Sequence, residues 1–180
     1  EWSTLSYTKK PPGVSTLWDI ERMFRRSLAQ HRRQPFDAVH CRSYIPTLVG
    51  LRLYERLKLK FIFDMRGFWI EERVEGGIWK IENPIFATVE KYFKAKERSF
   101  LSKAAHIVSL TESAKENLIE RRLSDSSITV IPCCVDTDAF SPSTGLPDER
   151  AKLRIGPNDF VLTYLGSLGT WYRFDKMVDF

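Results

Sequence analysis

His40, Asp64, Arg66 and Thr111, together with Gly166 and Gly169, each follow a short apolar run and carry side chains or backbone suited to chemistry. A carboxylate such as Asp64 can accept a hydrogen bond from a hydroxyl or orient a substrate, and a guanidinium such as Arg66 can grip a phosphate or carboxylate with two parallel bonds. Glycines at 166 and 169 let the backbone approach a phosphate closely, with the next helix turning its first amides toward the charge. Plainer roles account for the same residues. Asp64 and Arg66 can pin a loop as an ion pair, His40 can be a core histidine, and 166–169 can be a simple tight turn. Glu71, Glu72 and Glu75 form an acidic group that suggests paired carboxylates for work on a sugar. Arg66, Arg73 and Lys80 share that stretch, so solvated ion pairs explain it at less cost.

Such residues act together only if secondary structure gathers them. Short β-rich runs at 38–41, 61–63, 105–110, 128–131 and 160–165, with another at 2–7, alternate with amphipathic helical stretches. The spacing predicts helices from Ser15 or Thr16 as N-cap to about residue 31, over 45–57, from Pro84 to about residue 100, behind Thr111 as N-cap over 113–119, and over 148–153. Glu90 and Lys94 stand four apart on the third of these, the spacing of a surface ion pair. Residues 65–83 are charged, aromatic and glycine-containing and read as a long loop over a cleft. The alternation implies an α/β fold, a Rossmann-like parallel sheet with helices on both faces. In open sheets of that kind, ligands bind beyond the carboxyl ends of the strands.

Twenty-eight Lys and Arg against 23 Asp and Glu give a net charge of +5. Clusters such as Arg25, Arg26, Arg32 and Arg33 would draw a nucleotide diphosphate, an acidic lipid surface or nucleic acid. Arg52 interrupts the best apolar run, so no stretch approaches the roughly 20 residues needed to cross a bilayer. Three cysteines, Cys41, Cys133 and Cys134, show no metal-ligand spacing; they indicate a reducing compartment, with the adjacent pair read as packing beside a strand end. A basic binding module for nucleic acid or an acidic membrane surface is the rival reading, without an RNA-recognition aromatic signature to support it. A sugar epimerase would need an early Gly-x-Gly-x-x-Gly, which is absent.

Residues 128–142 read Ile-Thr-Val-Ile-Pro-Cys-Cys-Val-Asp-Thr-Asp-Ala-Phe-Ser-Pro. Pro132 ends a strand, and Asp136 and Asp138 suit a turn made by side-chain to backbone hydrogen bonds. This stretch resembles the "IPNGVD…F.P" signature that closes the N-terminal domain in group 1, or family-four, retaining glycosyltransferases of the GT-B fold. The match holds at Ile131, Pro132, Val135, Asp136, Phe140 and Pro142, with Cys133 and Cys134 where many members carry Asn and Gly. Residues 40–46 resemble the family's "H.H…P" stretch, 61–67 the next strand and its acceptor-side loop, and 166–172 the glycine-rich donor loop. In that loop many members place Arg and Lys, where this chain has Ser167 and, further on, Arg173 and Lys176 as the two candidate cations.

The resemblance implies catalytic roles for Asp64 and Arg66, acceptor-side roles for His40, Arg42 and Thr111, and donor binding by Gly166, Ser167, Gly169 and Arg173. It implies no metal and no cofactor. Partners would be a nucleotide-sugar donor and a sugar or lipid-linked acceptor, with retention of configuration and no nucleic acid. Residues 1–142 would form the acceptor-side domain, 143–157 a linker and 158–180 the start of a donor domain, making the chain a fragment inactive alone. The expected location is cytoplasmic, with peripheral contact at the inner membrane face.

Overall fold

The computed structural model describes residues 4–8, 10–11, 13–121, 127–140, 149–166, 168 and 174–179. The chain divides into two compact units, residues 1–132 and 133–180. In the first, helix α1 (Val14–Arg33) leads into strand β1 (Ala38–Arg42), helix α2 (Tyr44–Leu57) and strand β2 (Lys60–Asp64). Helices α3 (Trp69–Glu75) and α4 (Pro84–Lys103), strand β3 (His106–Ser109), helix α5 (Glu112–Glu120) and strand β4 (Ile128–Val130) complete it. The strands pair in parallel in the order β1-β2-β3-β4, with Arg42 opposite Asp64 and Asp64 opposite Val108. This is the α/β parallel sheet flanked by helices that the alternation of periods requires.

The core forms where alternate strand residues meet α2 and α4. Phe61, Phe63 and Ile107 are fully buried, while Ile62 between the two phenylalanines is only half-buried. Tyr44 of α2 and Phe100 of α4 close edge-on around Phe63, at 5.5 and 5.4 Å between ring centroids. Each such side chain contributes about 1.5–3 kcal/mol by leaving water. Asn83 caps α4 by accepting from the Ile85 amide at 2.9 Å, with Pro84 in the first turn. Thr111 caps α5 by accepting from the Ala114 amide at 3.1 Å. Both caps hold orphan amides that water would otherwise have to satisfy.

Several expectations fail for physical reasons. Residues 4–7 form no strand; the Thr8 amide donates to Asp19 and Arg22 to the Ser6 carbonyl, which ties this segment to α1 instead. Trp2 lies outside the described residues. α1 starts behind Gly13 rather than Ser15 or Thr16, because the carbonyls of Pro11 and Gly13 already take the first amides and Ser15 is buried. Gly13 supports this with φ 80°, a conformation glycine adopts at no steric cost. The expected loop at 65–83 contains α3, whose Ile70 is fully buried. Lys94 turns to Glu71 and Glu97 instead of Glu90.

The second unit is described by itself. Asp136 accepts from the amides of Asp138 and Ala139, making the expected turn. Short helices α6 (Glu149–Lys152) and α7 (Phe174–Val178) follow. Residues 143–148 of the expected linker lie outside the described residues. Residues 160–165 form no strand, and Phe160, Leu162 and Leu165 are exposed: β propensity needs a paired neighbour, and none is described in this unit. Cys133 and Cys134 are exposed and so do not serve as the packing residues expected of them.

At Gly50, α2 crosses β1 so closely that an added Cβ would overlap the Cys41 sulfur. Burial pushes the Cys41 thiol up to about 11, so it stays protonated and packs as a small apolar group. Helix propensity alone would make Gly50→Ala stabilising by about 1 kcal/mol. The overlap reverses this, and urea unfolding is expected to show a loss of about 1–3 kcal/mol. Adding Cys41→Ala removes the overlapped atom, so the two substitutions together should cost less than their separate losses summed. Simple additivity would show that the contact is not limiting.

Candidate functional site

β1, β2 and β3 end side by side, at Arg42, Asp64 and Ser109, and the backbone leaves two of these ends in unusual conformations. Ser43 has φ 69° and ψ 176°, and Arg66 has φ 52°. Non-glycine residues hold such angles only where their surroundings over-determine them. Here the Ser43 amide donates to the Asp64 carbonyl at 2.8 Å, the Met65 amide donates to the Val108 carbonyl at 2.9 Å, and the Thr47 hydroxyl donates to the Ser43 carbonyl at 2.6 Å. The strand ends are thereby locked to each other.

Asp64 sits at this junction with only 7 % of its surface exposed. His40 Nε2 lies 3.3 Å from Asp64 Oδ2, and the His40 ring is otherwise largely in solvent. The other carboxylate oxygen, Oδ1, is buried without a partner among the described residues. A buried carboxylate oxygen lacking a donor is costly, and functional sites are where such costs are retained. His40, Arg42 and Asp64 are therefore brought together, with Arg66 two residues further along the chain.

A cavity of about 500 Å3 opens at the carboxyl ends of β2 and β3; Met65 and Gly67, which flank Arg66 in the chain, line it, whereas His40, Arg42, Asp64 and Arg66 are not among its lining residues. Met65, Gly67 and Phe68 form its floor, Glu71, Glu72 and Glu75 of α3 one wall, and Ser109 and Leu110 its back. The opposite wall is α5, through Thr111, Ser113, Ala114, Asn117 and Arg121. Gly67, at φ 136°, sits against the Glu72 carboxylate, where a side chain would strike it. Thr111 lines this cavity, with its hydroxyl oxygen occupied by the helix cap. Asn117 and Arg121 were missed from sequence, yet Ser113, Asn117 and Arg121 recur every four residues, which places them on one face of α5. Asn117 Oδ1 and Glu71 Oε2 are buried acceptors without donors among the described residues.

Underneath, one polar network holds the α3 wall in place. The Tyr44 hydroxyl donates to Glu97, and Lys94 bridges Glu97 at 3.7 Å and Glu71 of α3. Burial raises the Glu97 carboxyl above its ordinary range, against the opposing effects of Tyr44 and Lys94. Burial, then the Glu97 charge, raises the Tyr44 phenol far out of reach, so it is always a donor. Trp69 stacks on Tyr44 at 5.3 Å and meets Trp79 and Phe93 edge-on at 5.2 and 5.0 Å. Aromatic faces and a shared lysine thus fasten α3 to α2 and α4.

Of the donor-side residues, Gly166 is exposed in the second unit. Ser167, Gly169 and Arg173 lie outside the described residues. Residues 4–139 match the family model described as Glycosyltransferase Family 4. A search of curated proteins finds no match.

Removing the Tyr44 hydroxyl leaves Glu97 short of a donor, so Tyr44→Phe is expected to cost about 1–3 kcal/mol in denaturant unfolding. Glu97 also gives a pH signature. Because its folded pKa is raised, its contribution to stability is complete below its unfolded pKa of about 4.3 and is lost as pH rises through the folded value. The stability difference between wild type and Glu97→Gln should therefore shrink from about pH 4 toward neutrality. A difference that grows over that range would contradict burial as the dominant influence on this carboxyl.

Proposed function

The chain belongs to Glycosyltransferase Family 4, and from that premise we propose that it transfers a sugar from a nucleotide-sugar donor to a hydroxyl-bearing acceptor with retention of configuration. The supporting observation is the cavity at the carboxyl ends of β2 and β3, the place where open parallel sheets receive ligands. Its walls suit a polyhydroxylated acceptor, since carboxylate and amide oxygens of α3 and α5 can accept from sugar hydroxyls.

In this reading Asp64, steadied by His40, accepts a hydrogen bond from the reacting hydroxyl and orients it. Arg42 and Arg66 offset negative charge gathering near the strand ends. The donor's diphosphate is taken by the loop of Gly166, Ser167 and Gly169, with Arg173 as its cation. No metal or organic cofactor enters this scheme. Reaction then rests on positioning and on electrostatic stabilisation of the departing diphosphate, not on covalent chemistry by Asp64.

The test is a transfer assay of the full-length protein with uridine and guanosine diphosphate sugars against sugar and lipid-linked acceptors. Product anomers are read from proton couplings. We expect product with the donor's anomeric configuration and a fall in kcat of about a hundredfold or more for Asp64→Asn. Inverted product would overturn retention. Wild-type rates for Asp64→Asn would remove Asp64 from the mechanism, and absence of transfer from every sugar nucleotide would overturn the reading as a whole.

A further inference from the structure

Ser43 stands where β1 turns into α2, and its backbone is strained. A φ of 69° with ψ 176° falls in a region that glycine enters freely and other residues almost never do. Three hydrogen bonds impose this conformation. The Ser43 amide donates to the Asp64 carbonyl at 2.8 Å, and the Ser43 carbonyl accepts from the Thr47 amide at 3.3 Å and the Thr47 hydroxyl at 2.6 Å. All three use backbone atoms of residue 43, so glycine would make them equally well and without the strain. A serine at this position needs a use for its hydroxyl.

The usual use is closed to it. An N-cap serine accepts from the amide of the second or third helical residue. In α2 the third is Pro46, which has no N–H, and the Ser43 side chain makes no cap bond. Nor does this half-buried residue's hydroxyl find another hydrogen-bond partner among the described residues. Its neighbour across the strand ends is Asp64, 7 % exposed, whose Oδ1 likewise lacks a donor among the described residues.

We propose that the Ser43 hydroxyl binds the acceptor, holding an uncharged oxygen of it beside the hydroxyl that Asp64 orients. The assignment rests on Asp64 receiving the reacting hydroxyl. An ionised Asp64 can only accept, whereas a serine hydroxyl both donates and accepts, so the two together can hold neighbouring oxygens of one polyhydroxylated molecule. The carboxylate beside Ser43 disfavours an anion there, which selects a sugar oxygen over a phosphate. Ser43 thus discriminates between acceptors by the oxygen next to the reacting one.

Initial rates of the full-length protein test this through Ser43→Gly and Ser43→Ala, with a uridine or guanosine diphosphate sugar and the sugar or lipid-linked acceptor that gives product. Both variants remove the hydroxyl, and only the first also relieves the strain. Ser43→Gly is expected to melt no lower than wild type. Both variants are expected to raise the acceptor KM about five- to tenfold, the loss of roughly one hydrogen bond, with the donor KM unchanged. A wild-type acceptor KM in both variants would overturn the proposal. So would a rise in Ser43→Gly alone, which traces to a looser backbone and not to the hydroxyl. Transfer by the wild type with unaltered variants leaves the transferase reading intact, whereas a wild type that transfers from no sugar nucleotide removes both.

Discussion

The hydrogen-bonded and ionic chain from Tyr44 through Glu97 and Lys94 to Glu71 is the constraint on which the site depends. It crosses three helices. Tyr44 opens α2 directly after β1, Lys94 and Glu97 lie mid-way along α4, and Glu71 belongs to α3. A buried carboxylate is tolerable only if its lone pairs are met and its charge is answered. Meeting that condition requires the three helices to keep one arrangement, and that arrangement leaves a cavity between α3 and α5. The aromatic set around Trp69 covers the network and lowers the local dielectric, which strengthens each bond within it and raises the cost of losing any one.

The sheet supplies a second constraint. Parallel strands end in register, so Arg42, Asp64 and Val108 lie side by side, and the chain must turn away from all of them within a few residues. Ser43 and Arg66 absorb that turn with positive φ, and the amides of Ser43 and of Met65, just before Arg66, bond to the neighbouring strands. Asp64 gains a rigid position and a His40 partner, at the expense of one oxygen left without a donor among the described residues. A site held by rigid strands and a bonded supporting shell keeps its geometry before any ligand arrives.

Much of this was legible in the residues. Phe61 and Phe63 announced a buried strand, Pro84 and Thr111 supplied helix starts, and the alternation of periods implied a parallel sheet, whereas the Asn83 cap of α4 was not read from the residues. α1 began earlier than its candidate side-chain caps because backbone carbonyls did the capping. α3 was hidden by its charges, although Ile70 and Val74 stand at helical spacing, since the aromatic partners that stabilise it come from α2 and α4. Residues 160–165 show the reverse error: strong β propensity without a neighbouring strand among the described residues. The cavity's α5 wall was readable as a four-residue repeat, whereas the Tyr44–Glu97 contact joins residues 53 positions apart and no local pattern encodes it.

The central claim is that the cavity between α3 and α5 receives the acceptor. Initial rates of the full-length enzyme, measured with acceptor and donor varied in turn, test it through Asn117→Ala, which removes a wall amide without touching Asp64. The account requires a KM for the acceptor raised about five- to tenfold, the loss of roughly one hydrogen bond, with the donor KM unchanged. A raised donor KM with an unchanged acceptor KM would contradict it.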